Sequence, residues 1–331
     1  MAVMRLADMA LGQEADVFVL LVAKEELRTK NGKPYLRVTF RDASREVTVP
    51  IWDDSPWAAE CRENWQPGVF YKVRGVFRQT NFGPQLEVRK IRQATAGDAA
   101  DGFDPNMCRV RSRFDPEEMF ADLMAFVDQT LEDEPLRNLV ETILISNRMA
   151  VLTCPAGRRN HHAYIGGLLE HTLSVTRICN FLADRYIEYY PDMQPPLDKP
   201  LVIAGGALHD IGKVREMDFD SEPTVHTPEG ALVGQILLGR DMVREAAVRC
   251  PLPAEKLLRL EHIIVSHQRL PEWGSPKPPM TPEALIVHYA DDIDAKMNMM
   301  YNILREDRTP GELTSRANVL GHPIYRGQAG K

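Results

Sequence analysis

Six side chains in four short stretches have the types and settings to hold a metal ion: His171 in GGLLEHTLSV, His209 and Asp210 in ALHDIGK, His262 and His267 in LEHIIVSHQ, and Asp291 in IVHYADDIDAK. Each stretch is rich in apolar residues. A carboxylate or imidazole in such surroundings is costly unless paired or coordinated, and one divalent cation compensates several of them together. Neighbours on a helix diverge by roughly 100°, so His209 and Asp210 share one ion only if it lies close against the chain between them. Helices carrying His171 and Asp291 would complete a mixed nitrogen and oxygen site inside a bundle. Taken singly, each histidine reads as a hydrogen-bonded core or cap residue and Asp291 as a helix-surface charge. The combined order H...HD...D is what points to an ion.

Those residues need a helical scaffold, and the second part of the chain supplies one. From DPEEMFADLMAFVDQTL onward, with Asp115 as cap and Pro116 at the first helical position, the apolar spacing is helical. It recurs near 135–149, 164–190, 200–211, 228–248, 254–267 and 281–305. Residues 15–93 read differently, as short β-branched and aromatic runs between turn signals. Asn31-Gly32 marks a hairpin, since both positions of a two-residue type I′ turn need positive φ. SPWAAECRENW reads as a short helix between the third and fourth strands. The stretch after residue 93, beginning ATAGDAADGFDPN, is small and polar, as a linker is. The expected organisation is therefore an all-β unit over 1–95, a linker over 96–113, an all-α bundle over 114–310 and a tail over 311–331.

The bulk numbers bound the partners. The 331-residue chain is 44% hydrophobic with a net charge of −7, which makes it no electrostatic trap for nucleic acid as a whole. Residues 1–100 hold 15 Lys+Arg against 13 Asp+Glu, leaving 25 against 34 of the chain's 40 and 47 for the remainder. A phosphate-tracking surface is expected in the first third. The five cysteines are scattered and never form CxxC, so neither a disulfide framework nor a zinc knuckle is expected. No apolar run reaches eighteen residues and no cleavage pattern opens the chain, so no membrane partner and a cytoplasmic location are expected.

Five strands with one helix between the third and fourth resemble the OB-fold nucleic-acid-binding domains. In such a barrel the interleaved Lys72, Arg74, Phe77, Arg78, Phe82, Arg89, Lys90 and Arg92 would stack bases and hold the backbone of a single strand; the alternative is that the aromatics fill the barrel and the charges are solvated. In the helical part the H...HD...D order is similar to that of the HD-domain metal-dependent phosphohydrolases. HHAYIGGLLEHT, HDIGK, TPEGALVGQI and GSPKPPMTPEALIVHYADDIDAK, preceded by an OB-like domain, resemble the YhaM-type 3'-to-5' exoribonucleases over nearly the whole chain.

The resemblance implies that His171, His209, Asp210 and Asp291 ligate the metal, that His262 and His267 line the cleft or hold a second ion, and that Lys213 sits near the substrate phosphate. Two positions depart from the family: Gln235 stands where GHI has histidine, and Gln268-Arg269 follow SH where SHHG is expected. A neutral amide is a poorer ligand than imidazole, so one firmly held ion is expected. Manganese comes first, with Fe, Co, Ni, Zn or Mg as alternatives. HYAD favours Asp291 over Asp292 and Asp294. His161 and His162 are expected on the surface, with the cleft mouth as the alternative, and His288 in packing or behind the ligands.

The chemistry implied is metal-dependent hydrolysis of single-stranded RNA, or DNA, from the 3' end to 5'-mononucleotides. Asp210 would hold or deprotonate the water, Lys213 would offset phosphoryl charge, and His226 or His267 would protonate the leaving oxygen. The alternatives are an HD-type nucleotide phosphohydrolase or cyclic-dinucleotide phosphodiesterase, and a non-catalytic metal-stabilised nucleic-acid-binding protein. Oligomeric state stays open, with a homo-oligomer among the options.

Overall fold

In a computed structural model the described residues are 3–327 except 30, 81–82, 158–159, 220–224 and 308. The chain divides into two compact units, Met1–Arg111 and Ser112–Lys331.

The first unit contains β1 (Glu14–Arg28), β2 (Pro34–Arg41), β3 (Glu46–Trp52), α1 (Ala58–Asn64), β4 (Phe70–Thr80) and β5 (Gly83–Gln93). The strands are antiparallel in the order β3-β2-β1-β4-β5, and β3 lies against β5, curling the sheet into an OB-like barrel. Strand periodicity decides what enters the core. Leu36, Val38 and Phe40 of β2 and Val47, Val49 and Ile51 of β3 are buried, whereas Arg37, Glu46 and Trp52 face out. The hairpin at Asn31-Gly32 forms, but its connection runs from residue 29 to 33 and is no two-residue turn; Gly32 takes φ 78°.

β1 is buried on both faces, which is why DVFVLLV reads as a continuous apolar run. Val17, Val19 and Leu21 point into the barrel. Phe18 and Leu20 point the other way, onto Phe103, Met107 and Cys108. The polar stretch expected as a linker over 96–113 therefore behaves otherwise. Its 3-10 turns, Ala96–Asp101 and Pro105–Cys108, fold onto the barrel, with the Phe103 ring 4.9 Å from Phe18 and 5.7 Å from Phe70. Three apolar anchors hidden among small polar residues outweigh the average composition of the segment.

Asp98 ties this segment down. Its carboxylate accepts from the Thr95 amide at 2.8 Å and from both terminal nitrogens of Arg92, and the Arg92 hydrogen bond holds its pKa well below the ordinary carboxylate value. A depressed folded-state pKa stabilises above the unfolded value, about 3.9, and the contribution is lost as pH falls through the folded one. Asp98→Asn should therefore lower the urea midpoint of the full chain at pH 7. The gap to the parent should begin to narrow as pH falls through about 3.9 and should close only as pH falls through the folded-state value well below that, where the parent has also lost the charge. Tryptophan fluorescence follows this transition, since Trp52, Trp57 and Trp65 of the four tryptophans lie in this unit.

The second unit is helical: α2 (Pro116–Thr130), α3 (Glu134–Ser146), α4 (Arg148–Thr153), α5 (Gly167–Tyr189), α6 (Lys199–Leu208), α7 (Lys213–Glu216), a short ribbon β6 (Met217–Asp218) and β7 (Val225–His226), then α8 (Pro228–Leu232), α9 (Gln235–Ala247), α10 (Ala254–Ser266) and α11 (Pro282–Glu306). Starts are written locally. α2, α3, α6, α8 and α11 each begin on an Asp or Thr side chain that accepts a first-turn amide, with proline in the first two positions. The helical pattern at 228–248 is split, because Gly234 adopts φ 81° and ends α8 before α9 begins. α6 stops at Leu208, so His209 and Asp210 occupy the turn that follows it. Among the described residues no helix is long and apolar enough to cross a membrane.

Candidate metal centre

α6 is surrounded: every residue from Leu201 to Leu208 is buried. Two glycines let its neighbours close in. A Cβ on Gly205 would lie 2.7 Å from Ile263 of α10, and one on Gly206 would lie 3.1 Å from the Cys179 sulfur of α5. That approach brings His171 of α5, His209 after α6 and His267 after α10 together.

Each of the three imidazoles has its Nδ1 proton committed. His171 Nδ1 donates to the Asp294 carboxylate at 2.7 Å, His209 Nδ1 to the Gly206 carbonyl at 2.8 Å, and His267 Nδ1 to the Ile264 carbonyl at 2.7 Å. In the neutral imidazoles every Nε2 is thereby a lone pair aimed inward. The Nε2 atoms of His171 and His209 stand 3.2 Å apart, a separation that demands positive charge between them. Asp210 Oδ2 lies 3.6 Å from both. Asp291 Oδ1 is 3.2 Å from His171 Nε2 and 4.0 Å from His209 Nε2. An ion with bonds of about 2.1 Å sets adjacent ligand atoms about 3.0 Å apart, so this donor set fits one divalent cation.

The electrostatics agree. Burial disfavours the charged form of His171, but hydrogen bonds to Asp291 and Asp294 overcome it and push its pKa up to about 9. Burial pushes His209 down to about 4. Burial alone would raise Asp210 and Asp291; Lys213 holds the first well below the ordinary carboxylate range, and the His171 hydrogen bond holds the second below it. Two ionised carboxylates and two lone pairs converge where a proton or a cation must sit.

Around this point the expected residues fall into place unevenly. Lys213 is buried, with Nζ 2.6 Å from Asp210 Oδ2; burial opposes its charge, but Asp210 holds the pKa above the ordinary value. Gly212 before it is needed for a reason other than a turn. Its φ is −62°, and a Cβ there would lie 1.9 Å from the Gln235 carbonyl, so it permits α9 to approach. His267 Nε2 is 3.4 Å from Asp210 Oδ1 and 3.4 Å from the Gln235 amide nitrogen. His262 is turned away: its Nε2 accepts the Met280 amide at 2.8 Å, which spends the lone pair a metal would need and corrects its expected place among the ligands. His288 Nδ1 donates to the His267 carbonyl at 2.7 Å. Asp292 pairs with Lys296 on the helix surface.

His162, expected on the surface, is inside, and His161 is half-buried at the wall of a cavity, the cleft-side alternative. His162 is 4% exposed. Its Nε2 donates to Asp294 Oδ2 at 2.9 Å and its Nδ1 accepts from the Tyr164 hydroxyl at 2.9 Å. It has φ 43°, an uncommon conformation for such a residue. Its carbonyl leaves no room beyond: a Cβ on Gly167 would come within 2.0 Å of it. Asp294 accepts from His162, His171 and Ser174, and its direct hydrogen bond to His171 Nδ1 makes it the partner of a ligand. His161 keeps both buried ring nitrogens without a hydrogen-bond partner among the described residues, and burial pushes its pKa down to about 3. The HH dipeptide was the available signal, but nothing in the periodicity of a loop tells which way it points.

A cavity of about 740 Å³ opens beside the cluster, lined by His161, Lys213, His226, Gln235, Gln268 and Trp273 among others. His226 is exposed on β7 at its wall.

The basic and aromatic set of the barrel is largely spent. Arg74 makes a two-pronged contact with Asp16 at 2.7 and 2.9 Å, Lys72 pairs with Asp101 at 2.5 Å, and Arg78 and Arg89 share Glu87 at 3.1 and 2.8 Å. Phe77 is buried in the barrel with the Arg45 guanidinium over its ring, so it is no stacking platform; Phe82 lies outside the described residues. A different aromatic row is open. Tyr35 and Trp52 are cross-strand partners with rings 5.1 Å apart, Leu27 pairs with Tyr35 on the other side, and Trp52 is 47% exposed.

Residues 168–296 match the HD domain, a match that marks the helical unit as a metal-dependent phosphohydrolase. Similar solved structures include a domain of replication protein A from Methanococcus maripaludis (10% identity, 28% of this chain, 93% of that one, TM-score 0.23). Pot1pC of Schizosaccharomyces pombe bound to ssDNA shows 10% identity over 31% of this chain and 93% of that one, with TM-score 0.24. Asparaginyl-tRNA synthetase from Pyrococcus horikoshii shows 14% identity over 43% and 32%, with TM-score 0.20.

Proposed function

We propose that the protein is a metal-dependent exonuclease that hydrolyses single-stranded RNA, or DNA, from the 3' end to 5'-mononucleotides. The observation that carries this reading is the commitment of all three Nδ1 protons, which aims the Nε2 lone pairs at Asp210 and Asp291 and makes a cation the natural occupant. When bound, a divalent cation lowers the pKa of water and draws charge from a phosphoryl oxygen. His171, His209, Asp210 and Asp291 would hold it.

The protein's own groups divide the remaining work. Asp210 Oδ1, which has no hydrogen-bond donor among the described residues, orients the attacking water and takes its proton. Lys213 spends one N–H on Asp210 and turns the others toward phosphoryl oxygens as their charge grows. His226 on the cavity wall protonates the leaving 3'-oxygen; His267 is the poorer donor because its Nε2 faces the Gln235 amide. In the barrel, the Leu27, Tyr35 and Trp52 row offers flat apolar surface on which successive bases stack without sequence preference.

Protein loaded with Mn²⁺ and given 5'-labelled single-stranded RNA should produce a ladder of shortened labelled fragments and free 5'-mononucleotides. Turnover of mononucleotides or cyclic dinucleotides with intact RNA would replace this reading by the nucleotide phosphohydrolase one, and bound but uncut RNA by a non-catalytic one. The Tyr35→Ala/Trp52→Ala protein should bind a long single strand more weakly by about 5- to 150-fold for each base that loses its platform, since each stacked base contributes about 1–3 kcal/mol. Its hydrolysis of bis-p-nitrophenyl phosphate should stay at the parent rate.

A further inference from the structure

The loop after His267 is built to present one side chain. Gln268 N–H donates to the Ser275 hydroxyl at 3.0 Å, Trp273 N–H to the Leu270 carbonyl at 3.0 Å, Gly274 N–H to the Pro271 carbonyl at 2.9 Å and Ser275 N–H to the Leu270 carbonyl at 3.1 Å. Arg269 and Gly274 both hold left-handed backbone, φ 67° and 107°, and Ser275 is fully buried. The loop is thus closed on itself by its own hydrogen bonds, yet it leaves the Trp273 indole 54% exposed at the wall of the cavity. The self-bonded loop thus fixes an aromatic face of which about half is open to the cavity.

The rest of the cavity says what would lie on that face. Lys213 supplies a cation for a phosphoryl group, and Gln235 Oε1 and both ring nitrogens of His161 are buried polar atoms without partners among the described residues. Orphaned polar atoms of this kind are expensive unless a ligand meets them. A volume of about 740 Å³ lies within the range of about 300–1,000 Å³ usual for small-molecule sites. A flat aromatic wall, unsatisfied donors and acceptors, and a cation describe a site for one nucleotide.

We propose that this cavity is the subsite for the 3'-terminal nucleotide, with its nucleobase stacked on Trp273 and its polar edge met by Gln235 and His161. The proposal rests on the phosphohydrolase reading for the position of the phosphate, but its stacking component stands apart and can be tested by binding. The affinity of Mn²⁺-loaded protein for adenosine 5'-monophosphate and for ribose 5-phosphate is measured by calorimetry. The parent should prefer the base-bearing ligand by about 5- to 150-fold. Trp273→Ala should reduce that ratio to about one, and Trp273→Phe should retain most of it. A ratio near one in the parent, or a ratio unchanged in Trp273→Ala, overturns the subsite. Strand shortening measured on the same preparations separates the two readings: an intact binding ratio without hydrolysis sinks the exonuclease and upholds the nucleobase site, whereas hydrolysis without a ratio does the reverse.

Discussion

His209→Ala protein should contain no stoichiometric metal after purification and should hydrolyse phosphodiesters at least about a thousandfold more slowly than the parent. The size follows from the several kcal/mol of transition-state stabilisation a Lewis-acid ion supplies, at about 1.4 kcal/mol per factor of ten. The variant loses one inward lone pair and leaves the Gly206 carbonyl without its donor, a cost of about 1–3 kcal/mol. The helical core does not depend on that side chain, so the protein should remain folded. Asp210 needs a gentler change. Truncation to alanine would leave Lys213 as an unpaired buried cation, costing about 3–5 kcal/mol, and lost activity could then be lost structure. Asp210→Asn keeps the volume. Thermal melting with and without Mn²⁺ supplies the control: ligand at a thousand times its Kd stabilises the parent by about 4 kcal/mol, whereas both variants should melt at the same temperature in either condition. Full metal content with parental turnover in His209→Ala would remove the cation from the mechanism.

The sequence was informative where physics is local and silent where it is not. The helix start at Asp115 is readable because cap and proline act within four residues, and the starts at Asp133, Asp198, Thr227 and Thr281 obey the same local rule. The spacing of His171, His209, Asp210 and Asp291 suggests an ion because several polar groups on apolar elements share one problem. The tightness of α6 against α5 and α10 rests on Gly205 and Gly206 and needs the partner helices to be seen. The expected nucleic-acid set fails for the same reason. Arg74 is neutralised by Asp16, and Arg92 by an aspartate that lies in what reads as a linker. Charge counts cannot show pairing across the fold. Tyr35 and Trp52 become a pair only through register. His161 and His162 sit in a loop with no periodicity to assign a face, and the left-handed backbone that turns His162 inward is invisible in its residue type.

That inward turn has a measurable consequence for metal affinity. Asp294 Oδ2 accepts from His171 and His162 while Oδ1 accepts from Ser174, so all of its acceptor capacity on this side is in use. Asp294→Asn replaces one oxygen by a donor. Either Ser174 or the two imidazoles then face an N–H, and His171 loses the partner that fixes its proton on Nδ1. Outer partners of this kind are worth about 10- to 100-fold in metal affinity. Calorimetric titration of Mn²⁺ should show that loss, while turnover at saturating metal stays within a few-fold of the parent because the ligand atoms are retained. His162→Asn gives the sharper discrimination. Asparagine accepts left-handed backbone more readily than histidine, which offsets part of the cost of the lost Tyr164 and Asp294 bonds. The metal-free variant should therefore melt only slightly below the parent, yet its shorter side chain cannot reach Asp294 and affinity for Mn²⁺ should still fall about 10- to 100-fold. A purely structural role predicts the opposite pairing: markedly lower melting and unchanged affinity. Affinities within twofold of the parent in both variants would leave His171 orienting itself without help and would end this account of why the fold holds a strained histidine beside the metal centre.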